Sequence, residues 1–129
     1  MRYLSVEEVL FIHFQVVERF GGSHGVLNTG GLESAVARPQ ATMGGQELYG
    51  SSLHKAAALA QSLVMNHPFS DGNKRTAFTA LGVFLSLNGL SLVSSPSEAE
   101  AFVLRIAEHS LGLESIVDWL GSHTRAVDL

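Results

Sequence analysis

The chain has no cysteine, which excludes disulfides and thiolate metal sites and suits a reducing cytoplasm. It also has little charge. Charged residues make up 16%, and 8 Lys and Arg stand against 12 Asp and Glu for a net charge of −4. A general nucleic-acid or membrane binder needs a basic surface, so both partners are excluded and any cationic site must be local. No stretch approaches the roughly 18 uninterrupted apolar residues of a membrane span. The opening Met1-Arg2-Tyr3-Leu4-Ser5 lacks the apolar core of a signal peptide, and a cytoplasmic protein is expected. What the chain does have is apolar content, at 46% of 129 residues. That predicts one domain over 1–129 with a single hydrophobic core and little disorder.

The apolar residues fall at helical spacing. Ser5-Val6-Glu7-Glu8 fits a reciprocal N-terminal cap, and Val6, Val9, Leu10, His13, Val16, Val17 and Phe20 then mark one stripe ended by Gly21-Gly22. A Gly-rich loop over 21–31 precedes a short helix over about 32–38, which should stop before Pro39. Residues 39–50 hold too many breakers for a helix and predict a loop or short hairpin turning at Gly44-Gly45. Ser51 or Ser52 caps the next helix, with Leu53, Ala57, Ala60, Val64 and His67 on its core stripe, and Pro68 ends it. Asn73 is the expected cap of a fourth helix to about residue 88, apolar nearly all round and so central. Ser95-Pro96-Ser97-Glu98 starts a fifth helix to about residue 109, and a last one covers about 113–123. Residues 90–93 alone have strand character. The fold class is all-α, with five to six helices.

The chemistry concentrates in His67-Pro68-Phe69-Ser70-Asp71-Gly72-Asn73-Lys74-Arg75, between the third and fourth helices. Backbone N–H groups at a helix start form an anion nest at the positive end of the dipole. Lys74 adds a point charge and Arg75 a planar fork suited to phosphate. Asp71 is a hard oxygen donor for Mg²⁺, which binds one or two carboxylates plus substrate phosphates. His67 is a candidate general base near neutral pH, and a buried Phe69 would anchor the loop. Each residue alone has an ordinary explanation: a packed histidine, an Asp-Gly turn, a helix cap, two solvated cations. Together they place cations against the helix dipole beside a base and an acid, which an anionic ligand explains. His13 lies on the first helix's apolar stripe and is expected in the core or at its boundary. His24, His109 and His123 fall at element ends and are expected in solvent. His54 has no carboxylate at ligand spacing. Zinc-hydrolase, P-loop and dinucleotide motifs are all lacking.

The segment resembles the motif of the Fic/Doc family, His-x-Phe-x-Asp/Glu-Gly/Ala-Asn-Gly/Lys-Arg, and His67, Phe69, Asp71, Gly72, Asn73, Lys74 and Arg75 fill every defined position. Tyr3-Leu4-Ser5, Glu8, Gly21-Gly22 and Leu32-Glu33-Ser34-Ala35 through Arg38-Pro39-Gln40 resemble segments of its Doc (death-on-curing) branch. The resemblance implies a compact α-helical Fic fold, with residues 39–50 as a flap that aligns a target chain. It assigns His67 as the catalytic base, Asp71 to Mg²⁺, Gly72, Asn73, Lys74 and Arg75 to nucleotide phosphates, and Phe69 to structural support. AMP-transferring members usually carry Gly-Asn-Gly-Arg-x-x-Arg. Here Lys74 replaces the second glycine and Phe78 the second arginine, which in the Doc branch goes with γ-phosphoryl transfer. Met65 stands where Doc-type proteins can carry a basic residue.

The expected activity is therefore that of a Doc-like toxin, a protein Ser/Thr kinase using ATP and Mg²⁺ on the translation machinery, with elongation factor Tu the target the family implies. AMP transfer to a protein hydroxyl, and a catalytically silent partner-binding domain, are the alternatives. The family's inhibitory helix places Gly or Asn after its glutamate. No glutamate here is so followed, so a separate Phd-type antitoxin is the implied restraint.

Overall fold

Ser5 opens the first helix as its sequence predicts: its hydroxyl accepts the Glu8 amide at 3.1 Å, and the Glu8 carboxylate accepts the Ser5 amide at 2.9 Å. The computed structural model describes residues 1–127. In it α1 runs Val6–Phe20 and stops at Gly21, whose φ of 87° suits glycine. Helix α2 (Thr29–Ala37) starts earlier than the expected residue 32. Asn28 accepts the Gly31 amide at 2.8 Å, and this cap draws two glycines into the first turn despite their low propensity. The α-helix stops before Pro39 as expected, ending at Ala37. Arg38–Gln40 form a 3-10 turn, where the missing proline N–H is not needed.

The flap is a hairpin, β1 (Thr42–Met43) against β2 (Gln46–Glu47), with Gly44 and Gly45 at φ 58° and 81°, the sense of turn that matches strand twist. Helices α3 (Ser52–Asn66) and α4 (Asn73–Leu87) follow, then β3 (Leu90–Leu92), α5 (Pro96–Ala107), α6 (Leu113–Ser122) and β4 (Thr124–Ala126). Ser51 caps α3 and Ser95 caps α5. Strand β4 had no signal, because three residues show no period. It pairs antiparallel with β3, Leu90 opposite Ala126 and Leu92 opposite Thr124.

The central helix is α3 rather than the expected α4. It packs on α2, α4, α5 and α6, and its alanines 56, 57, 58 and 60 are wholly buried, letting neighbouring backbones approach. Helix α4 packs on α1, α3, α5 and β3 but leaves an outer face open, where Phe78, Gly82, Val83 and Leu87 border a shallow apolar groove. Phe69, Leu81, Phe84, Phe102, Ile106, Ile116 and Leu120 share the core with α3. Stacked rings fasten α5 to α6: Trp119 lies 3.8 Å from Phe102 on one side and from His123 on the other. His123 was expected in solvent, but its Nδ1 donates to the Trp119 carbonyl at 2.7 Å within that stack.

Candidate active site

Helix α3 ends at Asn66, whose amide side chain donates to the Gly31 carbonyl at 3.0 Å and ties the end to α2. His67 follows in the left-handed region, φ 48° and ψ 55°. That conformation costs an L-residue about 1 kcal/mol or more, and the next residue, Pro68, cannot continue a helix. The chain thus turns sharply at His67 and leaves its imidazole exposed.

The loop after it is held on three sides. The Gly-rich segment runs antiparallel to it: Leu27 and Asn28 amides donate to the Pro68 carbonyl at 2.8 and 3.1 Å, and the Ser70 amide donates to Gly25 O at 2.9 Å. From α1, the His13 ring stacks on Phe69 at 3.7 Å and 7°. Its Nε2 donates to the Asp71 carbonyl at 2.9 Å. From below, Phe69 is wholly buried, so the loop is anchored in the core as expected of a support residue.

Asn73 was expected to cap α4, but Gly72 holds that position with φ 79°, and Asn73 is the first helical residue. Its side chain points back. Oδ1 accepts the Phe69 amide at 3.0 Å and Nδ2 donates to the Phe69 carbonyl at 2.9 Å. Two consequences follow. The loop is clamped by a residue of the helix it leads into, and no side chain caps the first turn of α4. The capping side chains on α1, α2, α3 and α5 have no counterpart here, so the α4 amides face outward with the positive end of the dipole. With its side chain engaged in this way, Asn73 has only its main-chain N–H left for an anion.

Asp71 has a divided role. One carboxylate oxygen accepts the Ser23 amide at 2.8 Å. Gly22, at φ 112°, passes so close that a Cβ there would lie 3.0 Å from Asp71 Cβ, which is why position 22 needs glycine. The other oxygen is available to a cation. Among the described residues no group of three or more His, Asp or Glu is gathered to hold a metal alone. A lone carboxylate fits Mg²⁺ that arrives with nucleotide phosphates.

His67, Asn73 and Lys74 line one cavity of about 260 Å³ with Met65, Ala107 and His109. Lys74 is exposed beside His67. Arg75 also opens to solvent, with its guanidinium 3.8 Å above the Phe20 ring, an attraction that restrains it. Phe78 lies a turn further and packs edge-on against Phe102 at 6.4 Å.

Two residues joined the site unexpectedly. His13 sits in the core as its stripe implied, but it also supports the motif loop. A buried histidine must find a polar partner, so its place on the apolar stripe of α1 is itself the signal of such a contact. His109 reaches the cavity only because α5 packs on α3, which no local pattern reveals.

A model of the Fic/DOC family matches residues 3–85, a span that contains the whole of 67–77. The chain is 43% identical over 109 residues to the protein named Toxin Doc of Mycolicibacterium smegmatis, covering 83% of this chain and 84% of that one. It is 31% identical over 120 residues to the protein named Protein kinase doc of Escherichia phage P1, covering 93% of this chain and 94% of that one.

Proposed function

The chain belongs to the Fic/DOC family, and from that premise we propose that it is a Doc-like toxin transferring the γ-phosphoryl group of ATP to a Ser or Thr hydroxyl of a translation factor. Elongation factor Tu is the target the family resemblance implies. One observation carries the proposal: an uncapped helix start with Lys74 beside it opens into the same cavity as an exposed histidine.

In the proposed reaction the target hydroxyl gives its proton to His67 as its oxygen bonds to the γ-phosphorus. The bond from that phosphorus to the bridging oxygen breaks, and ADP leaves with the electron pair. A positioned base of this kind is worth ~10²–10⁴-fold. The amides of the α4 first turn, with Lys74 and Arg75, hold the phosphates and offset charge on the transferring group, the main task in phosphoryl transfer. Asp71 would hold Mg²⁺, which supplies further charge neutralisation when bound. Gly72 admits the chain reversal that aims those amides. The domain is proposed to span 1–129 and to act in the cytoplasm, restrained by a Phd-type antitoxin. No helix among the described residues is long and apolar enough to cross a membrane.

ATP labelled separately at the α and γ positions tests the proposal with purified elongation factor Tu. γ-label on the factor is expected. α-label would mean nucleotidyl transfer instead, and neither label, together with no Mg-ATP binding, would leave a partner-binding domain.

A further inference from the structure

Lys55 is a charged residue in an unusual place. It lies in the first turn of α3 and is 2% exposed. Its Nζ donates to the Glu47 carboxylate at 3.0 Å and to the Pro39 carbonyl at 3.1 Å, and it stands 5.5 Å from the centre of the Tyr3 ring. Burial alone would push the Lys55 amine down, but the Glu47 carboxylate and then the Tyr3 hydroxyl hold it above its ordinary value, so it stays charged.

A buried ammonium paired with a half-exposed carboxylate is a poor way to gain stability. Desolvating the charge offsets most of the attraction, and an apolar side chain of similar volume would serve a core as well. What the ammonium supplies is direction. Its two acceptors lie at the two ends of the flap: Pro39 just before β1 and Glu47 in β2. The hairpin itself is otherwise outside the core, with Thr42, Met43, Gln46 and Glu47 all exposed. Its base is closed by the Leu48 amide donating to Ala41 O at 2.9 Å. Behind it Arg38 Nε donates to the Tyr49 hydroxyl at 2.8 Å. Lys55 is thus the charged link from the hairpin strands to α3, beside Arg38, whose guanidinium ties Tyr49 to the Ala58 carbonyl, Gln61 and Ser62 of the same helix, and α3 leads on to His67, about 18 Å further at 1.5 Å per residue.

We propose that Lys55 and Glu47 are positioning residues that set the flap relative to His67, and so fix where an extended segment of the protein target presents its hydroxyl. This rests on the phosphotransfer reading above. An exposed hairpin edge can take up an extended chain by main-chain hydrogen bonding. The hydroxyl must then reach the base in a near-attack geometry, and a displacement of about 1 Å can cost on the order of 10²-fold. A flap tied to the helix that carries the base keeps both in one frame.

Two variants test this. Glu47→Gln keeps the shape of an exposed side chain and removes the charge. Lys55→Met fills the buried volume without an ammonium. Hydrogen exchange and steady-state transfer are measured on both. The expected result is faster exchange of the Leu48 amide, by about tenfold or more, with α3 amides unchanged. In kinetics the KM for the protein target should rise about tenfold in either variant while the KM for ATP stays constant, and the double variant should be no worse than the worse single one. Additive losses, an unchanged target KM, or unchanged exchange in Glu47→Gln would overturn the proposal. Should Lys55→Met fail to fold, Glu47→Gln decides alone. Should the wild-type protein transfer no label, the phosphotransfer reading fails and the targeting role with it, while exchange alone still decides whether the tether exists.

Discussion

Asn73→Ala separates two roles that the motif alone merges. If the side chain served only as a phosphate ligand, its loss would abolish transfer and leave stability untouched. The structure spends it on the loop: two hydrogen bonds to Phe69, at 3.0 and 2.9 Å, from a side chain 6% exposed. Removing it leaves a backbone donor and acceptor without partners, at about 1–3 kcal/mol each. The neighbouring cavity lets water reach part of the gap, so the expected loss is about 2–4 kcal/mol. That is a large share of the roughly 5–15 kcal/mol of a typical domain. At about 4 °C per kcal/mol for a chain of this size, the Tm should fall by about 8–16 °C. Asn73→Asp keeps an acceptor for the Phe69 amide but sets a second oxygen against the Phe69 carbonyl, and should fall as far. Differential scanning calorimetry with matched transfer assays reads both effects. A Tm within about 2 °C of wild type, with transfer lost, would refute the loop-clamp role.

Further outcomes follow from the same geometry. His13→Phe keeps a ring against Phe69 but cannot donate to the Asp71 carbonyl. It should lower stability by about 1–2 kcal/mol, whereas His13→Ala also opens a cavity and should cost about 3 kcal/mol or more, both read by thermal melts. In the proposed reaction Lys74→Gly removes a charge-assisted contact to phosphate worth about 1.5–3 kcal/mol and should slow γ-label transfer by about 10–100-fold, while glycine in the first turn of α4 should lower the Tm by no more than about 4 °C. The Glu98 carboxyl is held below its ordinary 4.5 by the Ser95 amide, then the Ser95 hydroxyl and His123. A depressed carboxylate stabilises the fold above its ordinary value and loses that effect as pH falls through its folded value. Glu98→Gln should therefore show a shallower decline in Tm than wild type between about pH 6 and about pH 3.5, and an identical slope would contradict the assignment.

Where the sequence was legible, local chemistry and tertiary structure agreed. Ser5 with Glu8 and Ser95 with Glu98 signal their helices by side chains that reach only a few residues, and both caps form. Gly44-Gly45 marks a turn because both residues adopt positive φ. The motif residues 67–75 are adjacent in sequence, so their gathering at one helix junction was readable. The departures are tertiary. Asn73 has the composition of a cap, yet the buried amide of Phe69 competes for its side chain and wins. Helix α4 looks central because it is apolar all round, but one apolar face borders an open groove and α3 takes the centre. His109 enters the cavity through helix packing, and Lys55 gives no hint in sequence that it is buried against the flap.

In the proposed reaction His67 takes the proton of the target hydroxyl beside a nucleotide bound in that cavity, and His67→Ala removes that base. Alanine keeps a Cβ and so bears the same left-handed backbone cost, while the lost imidazole is exposed. The measurement is transfer of γ-label from ATP to purified elongation factor Tu by wild type and variant, with melting curves on the same samples. The Tm should shift by under about 3 °C and the rate should fall by ~10²–10⁴-fold. Equal label transfer by the folded variant would contradict the role of His67 as the base.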